Sequence, residues 1–278
     1  MSSRDRAPLV VVHPAPSDPT LVPSGSSVGD QRFWFFQGET RRGGTVWIDW
    51  LMTTTASNGR GGGSERRISD AVFTFDRLNR NQIVLNGVAD YAVGVSTFQP
   101  GTVATRAITG GTGRYDEVTG QVLSQRFDDG SWSQWFLIGD YDVIVGTDGD
   151  DRLKPGGSAP SSMTGLDGAD RFVLAQRQRW QMNRRYDLIT DFDGAQGDQL
   201  VLKTKAFPGL DAVRLARVRS RRELQRQSER ASTLVMDERT GLLWLDLNGK
   251  AEGWGRFGGP VVALQPGAAL KEDDVVLA

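Results

Sequence analysis

The segment from Gly146 to Val173 constrains the fold more than any other part of the chain. Read in nines, it gives Gly-Thr-Asp-Gly-Asp-Asp-Arg-Leu-Lys from Gly146. After Pro155 it continues Gly-Gly-Ser-Ala-Pro-Ser-Ser-Met-Thr from Gly156, then Gly-Leu-Asp-Gly-Ala-Asp-Arg-Phe-Val from Gly165. The first and third nines share glycine at position four (Gly149, Gly168), aspartate at six (Asp151, Asp170) and an apolar residue at eight (Leu153, Phe172). The middle nine keeps its glycine pair and the apolar Met163, but has Ala159 and Ser161 where the others have glycine and aspartate. Such a period alternates a turn with a short strand and coils the chain into a parallel roll. Position eight then points inward. Nines one and three stack, and the decayed nine lies on the other side. The plainer alternative is a pair of unconnected Asp/Gly turns.

The residue types suit a hard cation. Calcium takes carboxylate and carbonyl oxygens, and glycine lets the backbone aim turn carbonyls at one point. The candidate calcium-holding positions are Gly146, Asp148, Gly149, Asp151, Gly165, Asp167, Gly168 and Asp170, with Asp187 and Asp191 further on. One ion shared between Asp151 and Asp170 is the expectation from the stacked nines.

These nines resemble the glycine–aspartate repeat of RTX proteins. Asp187-Leu-Ile-Thr-Asp191-Phe-Asp193, followed by Gly197-Asp198-Gln-Leu-Val-Leu, resembles the segment that closes the roll in the serralysin C-terminal domain. The stretch Leu234–Gly249 resembles that family's final hairpins. The ending Asp273-Asp274-Val-Val-Leu-Ala is similar to the uncleaved C-terminal signal of type I export. The resemblance covers residues 144–278 and departs from the family in its few repeats and an arginine-rich insertion. It implies a secreted protein, extracellular or at the cell surface, with calcium as ligand and the type I export machinery as partner. Close, unpaired aspartates repel, so such a domain is weakly folded without metal. Extracellular calcium modules work at roughly 10⁻⁴–10⁻³ M. A chain of this kind stays loose inside the cell and folds outside it.

Upstream, from Gln31 to Gly139, short β-branched and aromatic runs alternate with polar residues between glycine-rich turns. Strands are expected at Phe33–Gln37, Thr45–Thr54, Ile68–Asp76, Gln82–Asp90, Ala92–Gln99, Val103–Thr109, Thr119–Phe127 and Ser131–Ile138. Both faces of several strands carry bulky apolar groups, as in Thr45–Thr54, where Val46, Ile48, Trp50 and Met52 oppose Trp47, Asp49 and Leu51. Closure into an eight-stranded antiparallel barrel accounts for this and removes the sheet edges. The whole chain is therefore read as all-β: a barrel over 31–139, then a short calcium-binding parallel β-roll over 140–278 with one arginine-rich helix.

Arg106-Ala-Ile-Thr-Gly110-Gly111-Thr-Gly113-Arg-Tyr115-Asp-Glu-Val-Thr-Gly120-Gln-Val, with the later Gln134-Trp-Phe-Leu-Ile-Gly139, resembles the allene oxide cyclase and dirigent barrels. That resemblance implies a small apolar ligand held inside the barrel, with isomerase or cyclase activity as the form any catalysis takes. No family active-site residue is carried over. Its glycine turn makes a sharp corner between strands, or alternatively belongs to a pocket mouth. The residues themselves offer Asp49, Tyr91 and Arg106 as pocket candidates, because each interleaves with aromatics or apolar groups. A carboxylate inside an apolar barrel has a raised pKa and serves as acid or base; alternatively, Asp49 faces solvent or pairs with an arginine. Trp34, Trp47, Trp50, Trp132 and Trp135 are core residues, or a platform for a sugar or phenol.

Composition narrows the chemistry further. There is no cysteine, which excludes disulfides, thiolate metal sites and cysteine nucleophiles. The single histidine, His13, falls in the Pro/Ser-rich stretch 1–30, read as a tail without fixed structure. A Ser/His/Asp triad is therefore not expected. The net charge of −1 gives no pull toward nucleic acid. No stretch is apolar enough to span a membrane, and no cleaved signal peptide is read at the N-terminus. Arg214–Arg230, read as a helix, holds seven arginines against Glu223 and Glu229. It is a solvated face whose charge the acidic repeats balance, or a site for acidic polysaccharide or lipid headgroups.

Overall fold

The computed structural model describes residues 9–22, 27–40, 43–57, 63–92, 95, 97–98, 103–127, 129–157, 159–175, 186–238, 240–255, 258–265 and 268–278. The chain divides into two compact units, with the boundary at Gly139–Asp140.

In the first unit the strands are β1 (Leu9–His13), β2 (Thr20–Val22), β3 (Gln31–Thr40), β4 (Thr45–Ser57), β5 (Ser64–Thr74), β6 (Gln82–Ala92), β7 (Val103–Thr112), β8 (Gly120–Arg126) and β9 (Trp132–Ile138). From β3 to β9 each strand pairs antiparallel with the next. β1 pairs antiparallel with both β9 and β3, so the eight strands β1 and β3–β9 close into a barrel, and β2 pairs with the first residues of β3 on the same edge that β1 closes. The expected barrel of eight antiparallel strands is thus present, with one strand exchanged. Ala92–Gln99 is not the eighth strand: Ala92 ends β6, and Val95, Thr97 and Phe98 lie outside any strand. The eighth is Leu9–His13, inside the stretch read as an unstructured tail. A five-residue strand with the apolar run Leu9–Val12 supplies main-chain pairing for two otherwise open edges, and that outweighs its Pro/Ser-rich surroundings. Residues 1–8 and 23–26 of that stretch lie outside the described residues.

Period-two alternation sets the interior. Val46, Ile48, Trp50 and Met52 of β4 face Ala71 and Phe73 of β5, Ile83 and Leu85 of β6, Ile108 of β7 and Phe136 of β9 in one buried cluster. Closure also needs a close approach. A Cβ at Gly38 would stand 2.9 Å from Val11 Cγ1 and 3.0 Å from the Val12 carbonyl oxygen. A glycine at this inward position therefore lets β3 lie against the closing strand.

In the second unit the strands are β10 (Asp142–Val145), β11 (Arg152–Leu153), β12 (Ser161–Thr164), β13 (Arg171–Leu174), β14 (Asp187–Ile189), β15 (Gln199–Leu202), β16 (Leu215–Val218), β17 (Leu234–Asp237), β18 (Leu242–Leu245), β19 (Gly259–Leu264) and β20 (Val275–Leu277). From β10 to β15, successive strands alternate between two sheets. One runs β10-β12-β14-β19 in parallel, then adds β18, β17 and β16; the other is β11-β13-β15-β20, all parallel. The third residue type of the nines behaves as expected: Leu153, Met163 and Phe172 all lie in the core between the sheets. Less than half of Arg214–Arg230 is helical. Leu215–Val218 forms β16, and the short helix α1 covers Arg221–Gln227, capped by the Ser220 side chain accepting from the Glu223 N–H. Ala216 and Val218, two residues apart, both pack on the cluster that holds Val235 of β17, the period of a strand rather than of a continuous helix.

Gly38→Ala should lower barrel stability by about 1–3 kcal/mol through overpacking at the seam. Urea unfolding followed by tryptophan fluorescence measures this; an unchanged midpoint would show that the closing strand yields freely.

Candidate functional site

Within the barrel, one half of the interior is apolar, with Phe73 and Phe136 among aliphatic side chains, and the other mixes aromatic with polar groups. The polar half lies toward the end where β6 and β8 finish and β7 and β9 begin. A cavity of about 40 Å³ there is lined by Trp34, Phe36, Trp50, Phe98 and Trp132, with His13, Tyr91, Arg106 and Gln134 among its polar groups. Alternation places these groups. Arg106 follows the inward parity of Ile108 on β7, Tyr91 that of Leu85 on β6, and Gln134 that of Phe136 on β9.

The polar groups form one chain of hydrogen bonds. Arg106 Nη2 donates to the Tyr91 hydroxyl at 3.2 Å, and Arg106 Nη1 donates to Ser124 Oγ at 3.0 Å. Ser124 Oγ donates to Gln134 Oε1 at 2.6 Å, and Gln134 Nε2 lies 3.1 Å from His13 Nε2. His13 Nδ1 lies 2.9 Å from the Pro14 carbonyl, an acceptor only. This fixes the neutral tautomer with Nδ1–H donating and Nε2 accepting from Gln134. Burial pushes the His13 pKa down to about 4.

Arg106 is 2% exposed. Its guanidinium lies 4.8 Å from the Trp50 ring centroid and 5.7 Å from that of Phe98. No carboxylate pairs with it among the described residues, and its Nε–H has no hydrogen-bond partner. Cation–π contact with a desolvated tryptophan returns about 2 kcal/mol. Removing an ion from water costs several kcal/mol, so the aromatic walls offset only part of the burial. Space for the Arg106 stem comes from Gly87, where a Cβ would stand 2.8 Å from Arg106 Cγ. Nearby, Glu65 accepts from both Arg67 and Arg32, all three within 3% of full burial. Tyr91 is held between the Arg67 guanidinium at 4.4 Å and the parallel Phe98 ring at 4.6 Å.

Two of the three pocket candidates, Tyr91 and Arg106, therefore meet in one site. Asp49 does not: it is exposed on the outward face of β4, opposite Phe35 and Val72. His13 is a site residue that the tail reading missed. The glycine turn after β7 lies at the far end of the barrel from the pocket. It is a corner: Gly113 adopts φ +62° with the Arg80 carbonyl against it.

In the second unit, the turn 146–151 stacks on the turn 165–170, and the latter on 190–198. Asp151 N–H donates to Asp170 Oδ1, and Asp170 N–H to Asp198 Oδ1, each at 2.9 Å. Asp191 accepts from Gly165 N–H and Leu166 N–H, also at 2.9 Å. Close turn-on-turn approach explains the glycines: a Cβ at Gly168 would stand 2.8 Å from the Gly149 carbonyl oxygen, and one at Gly146 2.7 Å from that of Gly165. Burial holds the Asp170 carboxyl above its usual range and pushes Asp191 and Asp198 up to about 6. Asp170 Oδ2 is buried with no hydrogen-bond partner among the described residues.

Asp151, Asp170 and Asp191 thus come together at one edge of the roll. Asp148 and Asp167 are exposed. Asp187 sits at the start of β14, accepting from Ser161 N–H at the opposite edge, with burial raising it to about 6. Asp198 joins the stack although it falls outside the nine-residue register. Among the described residues, no group of three or more acidic or histidine side chains converges as a metal site. Of the arginine-rich stretch, Arg217 and Arg219 pair with Glu238. No described helix is long and apolar enough to cross a membrane.

No protein family profile matches the chain, and no curated protein matches it. Among solved structures, it is similar to a pyocyanin demethylase at 15% identity and a TM-score of 0.35, over 47% of this chain and 98% of that one.

His13 makes barrel stability pH-dependent. Its folded pKa of about 4 lies below the ordinary 6.5, so between these values the unfolded chain binds the extra proton. Stability is then complete above about pH 6.5, and falls by up to ~3 kcal/mol as pH drops toward 4. His13→Gln should flatten this part of the profile in urea unfolding at several pH values. Parallel profiles for the two proteins would contradict it.

Proposed function

We propose that the chain is a secreted calcium-binding protein whose barrel holds a small, largely apolar molecule. The aromatic pocket around Arg106 and Tyr91 carries this reading of the barrel. It combines apolar walls with a few oriented polar groups, the usual make-up of a small-molecule site. If the ligand is turned over, isomerisation or cyclisation suits a site without cysteine and with its histidine held neutral by burial.

For the roll, the supporting observation is the buried, unpartnered Asp170 Oδ2 between stacked turns. The donors there are all hard oxygens. Asp151, Asp170, Asp191 and Asp198 would hold calcium together with turn carbonyls, since carboxylates alone do not converge. Bound calcium supplies positive charge that offsets the mutual repulsion of these carboxylates. Low cytosolic calcium keeps the roll loose, and extracellular calcium folds it after type I export. The acidic and apolar end of the chain, which becomes β20, is then read by the exporter before folding.

The small cavity favours one second reading. With most of the barrel filled by its own side chains, the unit is a non-catalytic structural module of the cell surface or matrix. Acidic polysaccharide on the exposed arginines belongs to this reading.

Calcium added to the chelated full-length chain should raise the unfolding temperature of one calorimetric transition and increase β-sheet circular dichroism. At about a hundred times Kd the gain is about 2.7 kcal/mol. Asp170→Asn should abolish most of it. A chain equally stable in chelator and in millimolar calcium would end the calcium reading.

A further inference from the structure

Arg106 is more than a polar wall of an apolar pocket. The other two guanidiniums buried below 5% in the barrel, Arg32 and Arg67, share the carboxylate of Glu65. Arg106 meets only the neutral oxygens of Ser124 and Tyr91, and its Nε–H meets nothing among the described residues. A guanidinium stays protonated and presents a planar fork of donors matched to a carboxylate. The pocket therefore holds a fixed positive charge without its counter-ion.

Its surroundings narrow what that counter-ion is. The walls are flat aromatic faces: Trp50 and Phe98 beside the guanidinium, with Trp34 and Trp132 completing the lining. Such walls leave a bare inorganic anion poorly solvated. The second cationic pair is already neutralised in part by Glu65, which disfavours a doubly charged phosphate. The enclosed space of about 40 Å³ is less than one benzene ring fills, so the ring lies partly in the pocket mouth, and no room is left for a fused system.

We propose that the barrel binds a single-ring aromatic carboxylate, with its carboxylate on Arg106 and its ring against the tryptophan and phenylalanine walls. This rests on the ligand-binding reading of the barrel and adds the ligand's charge and size. The hydrogen-bond chain from Pro14 through His13, Gln134 and Ser124 orients the fork, because each donor in it has one acceptor. Binding removes the unpaired charge and satisfies donors that are otherwise empty.

The test compares two isosteres on the full-length chain, benzoate and benzamide, by calorimetric titration and by fluorescence of the pocket tryptophans. Benzoate should bind at least tenfold more tightly than benzamide. Arg106→Gln should bring the two affinities together, while Arg106→Lys should keep part of the preference. The wild-type comparison stands even if a variant fails to fold. Benzamide binding as well as benzoate would overturn the anion assignment and leave a ligand-binding barrel in place. No binding of either compound at millimolar concentration, nor of toluene, would overturn both.

Discussion

Leu9–His13 is hydrogen-bonded on both sides, to Trp132–Phe136 of β9 and to Glu39–Thr40 of β3. This double pairing turns a curled sheet into a barrel and satisfies main-chain groups that two open edges would leave for other chains. It also creates the interior. Once the sheet is closed, every second side chain has no solvent to face, and the polar ones among them must find one another. The chain from His13 to Arg106 is the outcome. His13 reaches Gln134 only because the closing strand lies in register against β9.

The second unit meets the same requirement by repetition. From β10 to β15 each turn carries the chain from one sheet to the other, so its main-chain groups are paired by the strands and turns stacked on it. Stacking brings acidic side chains of successive turns within hydrogen-bond reach of the neighbouring backbone. The stack outlasts the sequence period that announces it. Gly194 of the third turn lies against the Asp274 carboxylate, although neither belongs to a nine.

Much of this was legible. Seven barrel strands follow from alternation, and the inward eighth residues follow from the nines. What escaped did so for identifiable reasons. Leu-Val-Val-Val-His has no alternation and sits among prolines, so nothing local distinguishes a closing strand from a tail. Its partner is distant, and pairing alone defines it. In Arg214–Arg230 the arginines hid a period-two stretch, because arginine tolerates either structure. Asp49 and Trp50 have opposite parity, but both faces of β4 carry large apolar groups. Which face turned inward depended on neighbours rather than on that strand's own pattern. Arg106 was visible as a candidate; its lack of a carboxylate was not, since pairing is decided across strands.

The seam has a consequence for the order of events. His13 and Gln134 are 121 residues apart, yet they meet across adjacent strands. Contacts of that separation are slow to form, because loop closure must precede the interactions that stabilise it. A chain emerging from the ribosome therefore holds its first barrel strand idle until the last has been made. During that interval β3 and its successors present an open edge. The same strand that protects the finished barrel from association leaves the unfinished one exposed for as long as closure takes.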